Sequence, residues 1–150
     1  ITANVRGRYY DIWALRHKTW CPNDYFFEVK RDLKLGLTQE EAWEKNVISR
    51  MINIKRTSKL IEVESAFGGF GIYKKSSIPK DAKYIGLYEN GEEVCEHVSF
   101  HKAIRNKKGK IFIYPQLIIG PKVLPFLLIN FYKKIKNLLL FLASIINKKI

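Results

Sequence analysis

The chain has 150 residues, 47% of them hydrophobic and 27% charged, with a formal net charge of +13. That length and balance suit one domain with a real core and exclude an intrinsically disordered chain. The basic excess favours anionic partners (phosphate esters, nucleic acid or acidic lipid headgroups), and with only Cys21 and Cys95 no disulfide framework is expected and a reducing compartment is the default.

Gly7 marks a turn ahead of residues 9–15, where Tyr9-Tyr10-Asp11-Ile12-Trp13-Ala14-Leu15 predicts a short buried strand rich in aromatic and branched side chains. Residues 16–23 read as a loop ending in the turn chemistry of Pro22-Asn23-Asp24, with Asp24 placed to cap the next segment. Thr38-Gln39-Glu40-Glu41 is a capping box, and it opens a helix along which Ala42, Trp43, Val47, Ile48 and Met51 recur at roughly helical spacing. Residues 60–63 and 70–73 read as strand pieces around Gly68, Gly69 and Gly71, and residues 82–88 as a further strand. Asn90-Gly91 is a turn, 92–105 a short helix or a loop leading into one, 106–109 a polar turn. Residues 110–119 form a final strand whose alternation Pro115 weakens. The mix predicts an α/β domain over 1–119, with a mixed sheet and flanking helices.

Residues 120–150 differ. Glu96 is the last acidic residue, and eleven Lys or Arg come after it, six of them after Gly120. Residues 1–119 carry +7, so about half of the excess belongs to the tail. Lysines interrupt its apolar runs, so no uncharged stretch reaches the ~20 residues of a transmembrane helix. A basic amphipathic helix is expected, either lying on an anionic membrane surface or docked on protein. No signal peptide is visible, and the opening at Ile1 reads as a piece of a longer protein.

Two segments carry chemistry. Three glycines in Phe67-Gly68-Gly69-Phe70-Gly71 call for a bulge, a positive φ, or the close approach of a ligand or another backbone. The segment lacks the Gly-Lys-Ser/Thr of a phosphate-binding loop and the succeeding helix of a dinucleotide fingerprint. In Cys95-Glu96-His97-Val98-Ser99-Phe100-His101, a helix would set His97 and His101 on one face at the spacing of a two-histidine metal pair, with Glu96 beside them as a general base. The plainer reading is a polar helix with two partly buried histidines. A zinc site from Cys21, Cys95, His97 and His101 has the right ligand types but matches no common zinc spacing. Arg16 and His17 come directly after the first expected strand, where α/β domains bind ligands, and Arg16 suits a phosphate or carboxylate as well as an ordinary ion pair.

These residues resemble a family. Tyr10–Arg16, Ala66–Tyr73, Cys95–His101 and Gly109–Pro115, in that order and spacing, are similar to the C-terminal half of a GT-A-type glycosyltransferase domain, in particular to bacterial and viral proteins akin to capsule-associated mannosyltransferases. The resemblance covers about residues 1–117. It implies a partial GT-A (nucleotide-diphospho-sugar transferase) sandwich and a hexosyltransferase-type enzyme of polysaccharide or glycoconjugate synthesis. It also implies a nucleotide-sugar donor, a sugar or lipid-linked hydroxyl acceptor, and a divalent metal, Mn²⁺ or Mg²⁺. Carried onto this sequence, it makes Glu96 the catalytic base, Phe67, Gly68, Gly69, Phe70 and His97 substrate-binding together with Arg16, and His101 the metal ligand. The Asp-x-Asp metal motif occurs nowhere in the 150 residues; the family places it just ahead of this stretch, so the piece alone is expected to be inactive. With a tail suited to lipid headgroups, the expected location is the cytoplasmic face of a membrane. The competing classes are a basic nucleic-acid-binding module, disfavoured because the aromatics sit in buried-looking strands, and a non-catalytic remnant.

Overall fold

The computed structural model describes residues 1–120; the amphipathic helix expected over 120–150 lies, Gly120 apart, outside the described residues. Among the described residues three strands form one mixed sheet: β1 (Thr2–Val5), β2 (Ile61–Val63) and β3 (Ile111–Ile119), in the order β1-β3-β2. β3 runs parallel to β1 and antiparallel to β2. The helices are α1 (Tyr25–Lys34), α2 (Gln39–Asn46) and α3 (Glu96–Asn106), with short 3₁₀ turns at Ile48–Arg50 and Lys75–Ser77. Residues 1–119 therefore form the mixed α/β domain that their sequence predicts. No helix among the described residues is long and apolar enough to cross a membrane.

β3 is the central strand, yet it contains Pro115, which has no N–H to give a ladder. The register explains how it is tolerated. Ala3 pairs with Tyr114 and Asn4 with Ile118, so Pro115 falls within the irregularity between those pairs. The buried Asn4 carboxamide fills the gap. It donates to the carbonyls of Pro115 and Ile54 at 3.1 Å each, and its oxygen accepts from Val5 N at 2.8 Å. Tyr9, Ile12, Leu15, Val29, Ala42, Val63, Phe100, Ile104, Ile111 and Ile113 form the core around this strand.

The helix signals act locally. Asp24 caps α1, accepting from Phe26 N at 2.9 Å. The Thr38 box is complete: Glu41 N donates to Thr38 Oγ1 at 3.2 Å and Thr38 N to Glu41 Oε2 at 2.8 Å. The two helices are joined through Asp32, whose buried carboxylate accepts from Asn46, Arg31 and Lys45 at 2.8, 2.9 and 3.0 Å. Those bonds, the one from Asn46 first, hold its pKa well below the usual carboxylate range.

Three expected strands are not strands. Tyr9, Ile12, Ala14 and Leu15 are buried, but the chain turns over 12–14, where Ile12 N donates to Tyr10 O and Ala14 N to the Asp11 carboxylate. The apolar pattern there reflects the burial of those four side chains rather than strand pairing. Residues 70–73 make one bridge, Thr2 with Gly71, and residues 82–88 one bridge, Leu87 with Glu93, across the Asn90-Gly91 turn.

Truncating the carboxamide in Asn4→Ala leaves two buried carbonyls short of a donor. It is expected to cost about 1–3 kcal/mol, read as a lowered midpoint in urea unfolding monitored by circular dichroism.

Candidate functional site

The candidate site is built along one face of α3, where His97, Phe100, His101 and Ile104 are buried at helical spacing. The two imidazoles lie on one face of the helix as expected, with ring centroids 6.0 Å apart and planes 19° apart.

His101 is fully enclosed. Its Nδ1 lies 2.9 Å from Ser65 Oγ and its Nε2 2.8 Å from the Tyr73 hydroxyl. A neutral imidazole donates from one nitrogen and accepts at the other, so this ring uses both. Burial holds its pKa down to about 3 and pushes that of Tyr73 up, so both are neutral near pH 7.

His97 stacks on Phe67, centroids 3.9 Å apart, and Tyr84 meets its edge at 5.5 Å. Its Nδ1 is buried with no hydrogen-bond partner among the described residues. Burial lowers its pKa, and the carboxylates of Glu96 and Asp11 oppose that shift. Glu96 Oε1 stands 3.7 Å from His97 Nε2, close but beyond hydrogen-bond length. The Glu96 side chain is 45% exposed, so the first turn of α3 presents one accessible acid beside an aromatic and imidazole cluster.

The glycines answer a backbone. Gly68 has φ +65°, and a Cβ there would sit 2.5 Å from the Ala3 carbonyl oxygen. Gly69 has φ +91°, and its Cβ would meet Ile119 at 2.7 Å. The glycines thus let the segment pass against β1 and β3. Of the close approaches open to these residues, the structure uses backbone and side chain, and Gly68 is buried rather than free to meet a substrate. Phe67 is engaged by His97, while Phe70 remains 44% exposed.

Arg16, expected at a substrate phosphate or carboxylate, is turned inward instead. It is buried, pairs with Asp24, and donates to the carbonyls of Trp13 and Leu15 at 2.9 and 2.7 Å. It therefore fixes the loop 13–24 and has little left for a ligand. Asp11, to which the sequence assigns no role in the site, accepts from Gly68 N at 2.9 Å and so holds the glycine segment. Its signal is its place in the apolar run 9–15, where an aspartate needs a donor.

A divalent cation finds no ready place among these side chains. His101 is enclosed with both nitrogens taken, and no three His, Cys, Asp or Glu side chains among the described residues are grouped to hold a metal. The four-ligand set of Cys21, Cys95, His97 and His101 is likewise not assembled. Burial raises the Cys95 thiol to about 12 and raises Cys21 as well, so neither is a ready nucleophile. Comparison of the chain with protein-family models, with curated proteins and with solved structures gave no match.

Gly68→Ala forces Cβ onto the Ala3 carbonyl at a positive φ, and is expected to destabilise the fold by more than about 1 kcal/mol, measured by thermal unfolding. The histidines set a pH dependence. An unfolded imidazole protonates near 6.5, whereas His101 in the fold resists protonation to about 3. The contribution is complete above pH 6.5 and declines, by up to about 1.4 kcal/mol per pH unit, as pH falls towards 3; His97 adds in the same direction. Urea midpoints between about pH 7.5 and about pH 5 should fall more steeply for the native chain than for His101→Gln; equal slopes exclude this role.

Proposed function

We propose that residues 1–119 are the acceptor-side part of a GT-A-type glycosyltransferase, which moves a sugar from a nucleotide-sugar donor to a hydroxyl acceptor. The observation that carries the reading is convergence. Residue 11, residues 67–68 and residues 96–101 belong to three of the segments on which the family resemblance rests. They meet through the Asp11–Gly68 hydrogen bond and the Phe67–His97 stack.

Glu96 is the general base of this proposal. It is the accessible carboxylate of the cluster, and the imidazole beside it is kept neutral by burial. The acceptor oxygen attacks the anomeric carbon, the bond to the diphosphate oxygen breaks, and the acceptor proton passes to Glu96. Positive charge grows on the sugar and negative charge on the leaving diphosphate, which a basic protein is suited to receive. Phe67 and His97 stack on each other beside the acid, and Phe70 offers an exposed ring. The divalent cation rests on the resemblance alone, and the role given to Glu96 does not depend on it. The basic apolar tail suits an anionic membrane surface and a lipid-linked acceptor, at the cytoplasmic face of that membrane.

The test is release of nucleoside diphosphate from a panel of nucleotide sugars with Mn²⁺, using the complete protein. Glu96→Gln is expected to lower release by about 10²–10⁴-fold while leaving the thermal midpoint in place, because the side chain is half exposed. Unchanged release in the variant removes Glu96 as the base; no release with any donor removes the glycosyltransferase reading.

A further inference from the structure

A second polar feature lies one turn further along α3. A cleft of about 420 Å³ is lined by His17, Lys18, Glu62, Val63, Glu64 and Arg105. That volume falls among small-molecule sites, roughly 300–1,000 Å³. Its wall begins where Arg105 Nη1 meets Glu64 Oε2 at 3.3 Å, four residues beyond the point where His101 meets Ser65.

The lining has a definite donor and acceptor pattern. His17 Nδ1 accepts from the backbone N–H groups of Trp20 and Thr19 at 3.1 and 3.3 Å, which leaves the proton on Nε2 as a donor. Arg105, one-third exposed and paired with Glu64 through Nη1, brings further guanidinium N–H donors to the wall. The Lys18 ammonium adds a third donor. Glu62 and Glu64 each engage one carboxylate oxygen, with Lys110 at 3.0 Å and with Arg105, and each keeps a second oxygen for another partner. Two cations and two anions line the space, so the charge nearly cancels.

That balance selects the ligand class. A phosphate would meet two carboxylates, and a metal ion would meet Lys18 and Arg105. A neutral polyhydroxylated molecule fits both sets, because each hydroxyl gives one hydrogen bond and accepts others. We infer that this cleft is a binding site for an uncharged saccharide, of mono- or disaccharide size. The carboxylates of Glu62 and Glu64 receive its hydroxyl protons, and His17, Lys18 and Arg105 donate to its oxygens. The inference requires no transfer chemistry and stands apart from the role of Glu96.

Saturation-transfer NMR on the full 150-residue chain tests it, with maltose, lactose and methyl mannoside as probes and inorganic phosphate as the charged comparison. At least one saccharide should receive saturation, and phosphate should show no line broadening. Glu62→Gln with Glu64→Gln should weaken saccharide binding at least about tenfold, as expected from replacing charged acceptors. Both side chains are more than half exposed, so the double variant is expected to fold, which circular dichroism verifies. The inference is overturned if no saccharide in the panel binds, if phosphate alone binds, or if the double variant binds a saccharide as tightly as the native chain.

Discussion

One neutral imidazole holds the site together. His101 reaches Ser65 with one nitrogen and Tyr73 with the other, and those two residues bracket the glycine segment. Enclosure makes the charged ring costly, and enclosure also makes each missing partner costly. The ring is therefore satisfied only when both ends of the segment are in place. Asp11 adds a third point of attachment at Gly68. These constraints set the position of Phe67, and with it the stack against His97.

The buried face of α3 then works as an axis. His97, His101 and Arg105 recur every fourth residue and meet Phe67, Ser65 with Tyr73, and Glu64 in turn. The same spacing that reads in the sequence as a metal pair serves here to join a helix to a segment without regular strand pairing. Accessible acids remain at both ends of this ladder: Glu96 at the first turn, Glu62 and Glu64 near the last.

The parts of the fold legible in the sequence are those governed by neighbours along the chain. The capping box at Thr38, the turn at Asn90-Gly91 and the helix carrying His97 and His101 each arise from contacts within a few residues, while the strand after Gly109 is legible from its apolar run although its partners, β1 and β2, are remote. Residues 9–15 mislead because burial and strand pairing call for the same side chains, and only tertiary structure separates them. Helix α1 is hidden behind Tyr25-Phe26-Phe27, an aromatic run without helical bias, although its cap at Asp24 is visible. The glycines announce a close approach, but that the neighbour is the Ala3 carbonyl depends on a contact 65 residues away in sequence. Arg16 turns inward for a related reason: a guanidinium beside two free carbonyls and Asp24 finds its partners before any ligand arrives.

The glycine segment has only short pairing of its own: a bridge at Ser65 with Arg16, a bridge at Gly71 with Thr2, and bonds from Ala3 N to Phe70 O and from Ile72 N to Ile1 O. Its attachment to α3 through His101, and to Asp11, adds to these few bonds in resisting local opening. Residues 65–73 and the helix are then expected to open as one cooperative unit, with amide protons that exchange together. Motion at the candidate site is coupled in this way to the stability of a helix whose other end lines a separate cleft.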